Sequence, residues 1–154
     1  MRALNFRNSK LNRIFLRDER GTQLVELAIV LPLVLILFGA IAEFGRFFYT
    51  YSTLSKATRA GARYLVSQVP GTKDGSAKNL VVYGSTTGTG TPIVGGFDSA
   101  KVQITYSAAA KTTTVSIQNF NYVPLFDLGK LIKQPSLSLS VNVNARTTMR
   151  QMVQ

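Results

Sequence analysis

The sequence contains no cysteine and no histidine among its 154 residues. Without cysteine it can form neither disulfide bonds nor thiolate zinc sites, and without histidine it has no imidazole for acid–base chemistry. The absence of cysteine fits an exported bacterial protein that needs no oxidative folding. It fits many cytosolic proteins equally well, so it does not identify the compartment.

Acidic residues are also few, with seven against 18 basic residues and a formal net charge of +11. Six basic and two acidic residues precede Gly21, so this leader carries +4 and the rest of the chain +7. A basic leader next to an apolar run indicates that the N-terminus stays in the cytoplasm. The charge of the remainder would suit anionic lipid headgroups, surface polysaccharide or nucleic acid, and does not choose among them.

The few acids offer no catalytic constellation. Beyond the apolar run and its helical continuation only Asp74, Asp98 and Asp127 remain, each isolated and close to turn residues, which predicts turn and cap roles. The Gly88-Thr89-Gly90 sequence lacks the Gly-Lys-Ser/Thr and the following helix of a phosphate-binding loop. We therefore expect no enzyme, no catalytic residue, no metal, no cofactor and no small-molecule substrate.

One long apolar run is present, with sixteen uncharged residues from Leu27 to Ala42. A spanning helix needs roughly 17–25 residues, a length reached by adding the stretch from Thr22, which includes Glu26. A carboxylate at the centre of a bilayer costs about 2.5–3.5 kcal/mol, and less near its surface. The run predicts a single membrane-spanning helix in which Glu26 is retained for a function.

Two further residues of this helix are candidates for helix packing. Pro32 falls in the helix interior, where it removes a backbone hydrogen bond and favours a kink or local opening. Gly39 is small enough to let another helix approach closely. With Glu26, they form the predicted assembly surface.

Other interpretations of the apolar run remain. It could be an uncleaved signal anchor, or a secretory signal peptide cut after Ala42, where Ala40-Ile41-Ala42 has the small-x-small pattern. Glu26 and Pro32 fit poorly in the apolar region of a signal peptide. A buried helix of a soluble protein is the third alternative.

The helix is predicted to continue to about Gln68, which makes it roughly 70 Å long at 1.5 Å per residue. Glu43 and Arg46 stand three apart and predict an ion pair on one face. Aromatic residues are concentrated between Phe44 and Tyr51, as suits a membrane interface. The first helix-breaking sequence is Val69-Pro70-Gly71.

The outer part of this helix is predicted to be amphipathic. Its narrow apolar face consists of Tyr51, Leu54, Thr58, Ala62 and Leu65. Lys56, Arg59 and Arg63 lie roughly opposite as a basic stripe. The stripe is either a solvated helix face or, together with Arg46, a contact with acidic lipid headgroups or a partner protein. No aromatic residues interleave with these cations as they do in single-strand binders, so nucleic acid is not an expected partner.

The remaining chain predicts a small antiparallel sheet. Residues 102–106, 113–117 and 137–143 alternate apolar and polar, which is typical of half-buried strands. Residues 84–96 form a Gly/Ser/Thr-rich loop, and Val123–Ile132 is predicted as a short helix or hydrophobic flap. We expect an α+β, pilin-like fold, in which the sheet packs on the apolar face of the long helix.

A family resemblance is carried by residues of the first helix. They are Gly21, the runs Glu26–Ala28 and Val30–Pro32, Gly39, Arg46 and the run Thr58–Tyr64. In this pattern the chain resembles the TadE-like pseudopilins of the tight-adherence (Flp, type IVb pilus) apparatus. The resemblance covers about Gly21 to Leu65 and extends loosely to the strand ending at Arg150.

The resemblance implies three domains: a cytoplasmic leader (1–21), a transmembrane and extended helix (22–68) and an extracytoplasmic β-rich domain (69–154). Gly21 would be the last leader residue, recognised by a prepilin peptidase, and Thr22 the first mature residue. Glu26 would meet the free ammonium group of a neighbouring subunit. Thr22 is not the Phe typical of major type IV pilins, and the soluble part is large for a major Flp pilin. Both differences imply a minor subunit.

The implied partners are the inner membrane, the peptidase, other pilin-like subunits and the pilus assembly platform. The domain would be periplasmic, and the subunit could also enter a surface pilus. The alternative is an uncleaved single-pass membrane protein whose β domain binds a ligand or surface glycan.

Overall fold

The computed structural model describes residues 19–152, apart from Ile132, Pro135, Leu137 and Leu139. The predicted leader up to residue 18 therefore lies outside the described residues. The described chain forms α1 (Glu19–Val66), α2 (Asp74–Tyr83), β1 (Val102–Ser107), β2 (Thr112–Ile117), β3 (Phe120–Tyr122), α3 (Leu128–Leu131), β4 (Val141–Val143) and β5 (Arg146–Arg150).

The strands form two antiparallel sheets. One has three strands in the order β1-β2-β5, and the other pairs β3 with β4. The two predicted strands at residues 102–106 and 113–117 are confirmed as β1 and β2. The turn between them includes Lys111, which has a left-handed φ of 50°. The expected α+β class, with a long apolar helix and a small antiparallel sheet, is confirmed.

The chain divides into two compact units, one ending at Ile41 and the other beginning at Ala42. The first unit, where described, consists of the first part of α1, whose side chains are exposed or half-buried. The second unit contains the rest of α1, α2 and both sheets, and it holds the hydrophobic core.

The core of the second unit is built on one face of α1. Leu54, Thr58, Ala62 and Leu65 are buried there as predicted. A fully buried leucine contributes about 1.5–3 kcal/mol relative to an exposed one. The sheet reaches this face through Thr58, whose hydroxyl lies 3.1 Å from that of Thr147 in β5. Placing Tyr51 on the buried face was wrong.

Tyr51 is exposed because its ring lies at the edge of the packed face. There it stacks on Phe47 with a centroid distance of 6.4 Å. Ala57 is buried in the same region of α1. The packed face of α1 therefore includes Ala57 and excludes Tyr51.

Helix α2 was not predicted, because its only apolar run, Leu80–Tyr83, is short and lies in a stretch rich in Gly, Ser and Thr. The helix buries Ala77, Val81 and Val82 in the core. It ends where Gly84 takes a left-handed φ of 72° and donates its N–H to Leu80 O, a common helix C-terminus. Residues 84–96, predicted as a loop, contain neither helix nor strand.

The third predicted strand, residues 137–143, contains the strand Val141–Val143, which pairs with β3, a strand that was not predicted. Leu137 and Leu139 lie outside the described residues. The segment from Val123 to Leu131 contains both predicted features, an exposed apolar loop and the short helix α3.

Gly61 of α1 lies against α2. A Cβ atom at Gly61 would lie 2.5 Å from Val81 Cγ2 and 3.8 Å from Val115 Cγ1. Val81 is fully buried and β-branched, so its side chain has little freedom to move away. A side chain at position 61 would therefore push α2 away from α1.

We expect Gly61→Ala to destabilise the protein by about 1–3 kcal/mol, because the overlap outweighs the higher helix propensity of alanine. Gly45→Ala is the matched control, since its Cβ would meet no atom within 4 Å in the same helix. It should stabilise by about 0.5–1 kcal/mol. Denaturant unfolding of the protein in detergent measures both, and equal stability of the two variants would contradict this packing.

Candidate functional site

The predicted processing and assembly residues all lie in the first part of α1. Gly21, Thr22, Glu26 and Pro32 are exposed, Gly39 is half-buried, and α1 continues unbroken through Pro32. In its most apolar 18-residue window no residue is buried, and the helix is long and apolar enough to cross a membrane. Glu26 is the only charged side chain between residues 21 and 42.

A second acidic residue, Glu43, directly follows the apolar run and is only 3% exposed. Its Oε1 accepts a hydrogen bond of 2.5 Å from the Tyr122 hydroxyl and lies 3.4 Å from Arg46 Nη1. Its Oε2 accepts from the backbone N–H groups of Leu125 and Phe126 at 3.2 and 3.4 Å. Both carboxylate oxygens are thus occupied by donors.

These donors allow the Glu43 carboxylate to be buried. An unpaired buried charge costs several kcal/mol, whereas hydrogen bonds to a charged group contribute about 1.5–3 kcal/mol each. The predicted Glu43–Arg46 ion pair is confirmed. Arg46 also lies over the Tyr122 ring, with its guanidinium carbon 6.0 Å from the ring centroid. Arg46 therefore contacts Glu43 and Tyr122, although its side chain is half exposed.

The burial of Glu43 was missed in the sequence. The signal for it was the helical spacing of the packed face, which continues from Leu54 back through Phe47 to Glu43 at intervals of seven and four residues. The tyrosine that completes the site is 79 positions away in the sequence. No local pattern connects the two residues.

The structure brings the three residues of the basic stripe together. Lys56, Arg59 and Arg63 are exposed, and with Tyr64 and Met149 they line an open groove of about 500 Å³. Among the residues that the structure describes, no acidic side chain lines the groove. Arg46 does not belong to it, because that side chain is bound at Glu43.

The three remaining aspartates have structural roles. Asp98 accepts hydrogen bonds from the backbone of Ala100 and Lys101 as an N-cap, and Asp127 accepts from the backbone of Gly129. Asp74 accepts a 2.5 Å hydrogen bond from the Tyr106 hydroxyl. The predicted turn and cap roles hold for Asp98 and Asp127, whereas Asp74 instead binds the sheet to α2.

The polar face of the three-stranded sheet lines a shallow groove of about 700 Å³. Its lining is mainly Thr, Ser and Asn side chains, with Arg146 as the charged group. Within residues 19–152, apart from Ile132, Pro135, Leu137 and Leu139, no three His, Cys, Asp or Glu side chains lie together in a way that could hold a metal ion.

The long helix carries all of the predicted processing, assembly and basic-stripe residues. Residues 21–63 match the family of TadE-like proteins. The resemblance inferred from the sequence is confirmed over this stretch, the TadE-like segment. No significant match was found among curated proteins or solved structures.

The TadE-like segment contains Gly21, Glu26, Glu43 and the whole basic stripe. It comprises 43 of the 154 residues, counted from 21 to 63. The match therefore associates the chain with a pilus-related family through α1, while both sheets lie outside it.

Removing the Tyr122 hydroxyl tests the site at Glu43. Tyr122→Phe leaves the buried carboxylate without one donor, so we expect a loss of about 1.5–3 kcal/mol in the free energy of unfolding. Tyr49→Phe is the control, because Tyr49 is exposed, and it should change stability by less than about 0.5 kcal/mol. Similar values for both variants in denaturant titrations would show that Glu43 does not depend on Tyr122.

The same contacts predict a pH dependence. Burial and the hydrogen bond to Glu43 raise the pKa of Tyr122 to about 12, and burial with the hydrogen bond to Asp74 raises the pKa of Tyr106 to about 12. Both phenols stabilise the fold fully below pH 10, the pKa in the unfolded chain, and this contribution is lost as pH rises towards 12. Phenolate absorbance should therefore show two late-titrating tyrosines, and only one in Tyr122→Phe. Titration of both near pH 10 in the folded protein would contradict the contacts.

Proposed function

We propose that this protein is a minor pilin-like subunit, a pseudopilin, of a tight-adherence pilus system, acting in pilus biogenesis and surface adhesion. The observation that carries the proposal is the pair Gly21 and Glu26, five residues apart at the head of an uncovered apolar helix, within the TadE-like segment. In this role the protein is a structural subunit rather than an enzyme.

Processing takes place between Gly21 and Thr22, by a prepilin peptidase in the membrane. Gly21 and Thr22 are both exposed on α1. Cleavage removes a basic leader and leaves a free α-ammonium group on Thr22. Glu26 stays in the mature helix.

Glu26 supports assembly because its charge has no partner within the apolar run. A lone carboxylate is expensive in a bilayer or a helix bundle, and so is a lone terminal ammonium group. The two satisfy one another when Thr22 of one subunit meets Glu26 of a neighbour. Pro32 and Gly39 lie further along the same helix, where Gly39 allows close packing of another pilin-like helix.

The membrane topology follows from charge. The basic leader keeps the N-terminus cytoplasmic, so the second unit lies on the periplasmic side of the inner membrane. The mature subunit can then join a surface pilus from the membrane.

The basic stripe supports contact with an acidic surface of another pilin-like subunit or of the assembly platform. Lys56 lies 14 residues beyond Ala42, about 21 Å along the helix axis. At physiological salt, electrostatic attraction is screened beyond about 8 Å. When the helix stands upright in the membrane, the surrounding headgroups therefore attract the basic stripe only weakly. The absence of acids in the groove lining favours an acidic protein partner.

The polar groove on the sheet favours a second candidate function. Its Thr, Ser and Asn side chains could hydrogen-bond the hydroxyl groups of a surface glycan. In that case the protein is an uncleaved single-pass membrane protein that binds a ligand. In the described part of the chain no aromatic residue lines the groove for sugar stacking, which makes this the weaker candidate.

The mass of the intact protein from native membranes distinguishes these functions. We expect a chain beginning at Thr22, and Gly21→Leu should retain the leader because its side chain blocks recognition by the peptidase. Gly75→Leu, at an exposed glycine with open space around it, should be processed normally. A native chain beginning at Met1 would favour the ligand-binding alternative, and one beginning at Glu43 would indicate ordinary secretion.

Glu26→Ala tests assembly separately from processing. The variant should still begin at Thr22 but recover less of the other pilin-like subunits on purification from native membranes, because the neighbouring ammonium group loses its partner. Gln23→Ala, an exposed change one turn away on the same helix, is the control. Undiminished co-purification of Glu26→Ala would refute the role of this carboxylate.

A further inference from the structure

An apolar patch surrounds the site at Glu43. It consists of Phe44, Val123, Leu125, Phe126 and Val141, whose exposed fractions range from 46 to 70%. Large apolar side chains exposed together are unusual on a soluble surface and indicate a contact with something apolar. The three residues from the loop after β3 are among the most exposed hydrophobic residues of the second unit.

The loop is fixed rather than loosely attached. Glu43 Oε2 binds the backbone N–H groups of Leu125 and Phe126, which anchors the loop to α1 through its main chain. On the other side, Tyr122 pairs with Val141 between β3 and β4. The main chain is therefore satisfied while the apolar side chains remain outside, so their exposure is a property of the folded loop.

The position of Glu43 in the sequence indicates which surface the apolar patch contacts. Glu43 is the first residue after the apolar run, which ends at Ala42. Its carboxylate holds the backbone of Leu125 and Phe126 within hydrogen-bond distance of this boundary. If the run spans a bilayer, the loop lies at the bilayer surface.

The basic residues that follow the loop in the sequence, together with Arg46, favour an anionic lipid surface over a protein partner. Lys130 and Lys133, which follow the loop in the sequence, are exposed. Arg46, one turn beyond Glu43, is half exposed. Apolar side chains flanked by basic ones are typical of segments that lie in the interface of an anionic membrane.

We propose that Leu125, Phe126 and the rest of this apolar patch enter the interfacial region of the same bilayer that α1 crosses. The second unit then has two membrane attachments, the helix and the loop, with Glu43 holding them together. This inference rests on the membrane-spanning part of the proposed function, and it requires neither processing at Gly21 nor pilus assembly.

The absence of tryptophan makes a direct test available, because any introduced tryptophan is unique. We would place the full-length protein in vesicles of phosphatidylcholine and phosphatidylglycerol, with and without bromine on the acyl chains. The test variant is Phe126→Trp, and Leu125→Trp is a second reporter in case the first does not fold. Near-ultraviolet circular dichroism checks that each variant retains the native fold.

Two further tryptophan variants serve as controls. Leu35→Trp lies within the apolar run and should be quenched by brominated lipid if α1 spans the bilayer. Val69→Trp is exposed beyond the end of α1, whose last residue lies 24 positions past Ala42, about 36 Å along the axis. It should emit like tryptophan in water and resist quenching.

We expect Phe126→Trp to emit at shorter wavelength than Val69→Trp and to lose intensity with brominated lipid. If Leu35→Trp is quenched but both loop reporters are not, the loop contact is wrong while the spanning helix stands. A short-wavelength emission without quenching would overturn the proposal in favour of a protein contact, including a second copy of this chain. If brominated lipid does not quench Leu35→Trp, both the spanning helix and the loop contact are wrong.

Discussion

The hydrogen bonds to the Glu43 carboxylate constrain how the second unit can be built. They join α1 to β3 and to the loop after β3, segments about 80 residues apart in the sequence. Since a buried carboxylate without donors is costly, the chain must return after β2 to the beginning of the unit. The β3–β4 pair accomplishes this return, and Phe47 supports it by packing edge-on against Tyr122 at 5.4 Å.

Features with a long, regular pattern could be predicted from the sequence. α1 combines an apolar run with a helical repeat over 48 residues, and the β1–β2 hairpin alternates cleanly around a short turn. The positions predicted for processing, assembly and partner contact, Gly21, Glu26, Lys56, Arg59 and Arg63, also lie on this one helix, and their functions remain predictions. Tyr51 shows the limit of such patterns, because it meets the spacing rule but lies just outside the packed face.

The elements that could not be predicted depend on contacts distant in sequence. Helix α2 contains Gly75, Ser76 and Asn79, which are poor helix formers, and it is stabilised by burying Val81 against the space left at Gly61. β3 and β4 have three residues each, too few for an alternating pattern to be recognised. The Glu43 site was missed because its donors come from a distant strand and from backbone N–H groups, which no side-chain motif encodes.

The pairing of β5 with β2 bears on the order in which the chain can fold. β5 forms one edge of the three-stranded sheet, contacts Thr58 through Thr147, and is followed by a hydrogen bond from Met152 N to Val66 O at the end of α1. During synthesis α1 and α2 emerge before β5, so the contact of Thr58 with Thr147 can form only after the β1–β2 hairpin has been made. A chain that lacks the segment from Arg146 onwards would contain the complete helix but would leave part of its packed face exposed, and proteases could recognise the chain there.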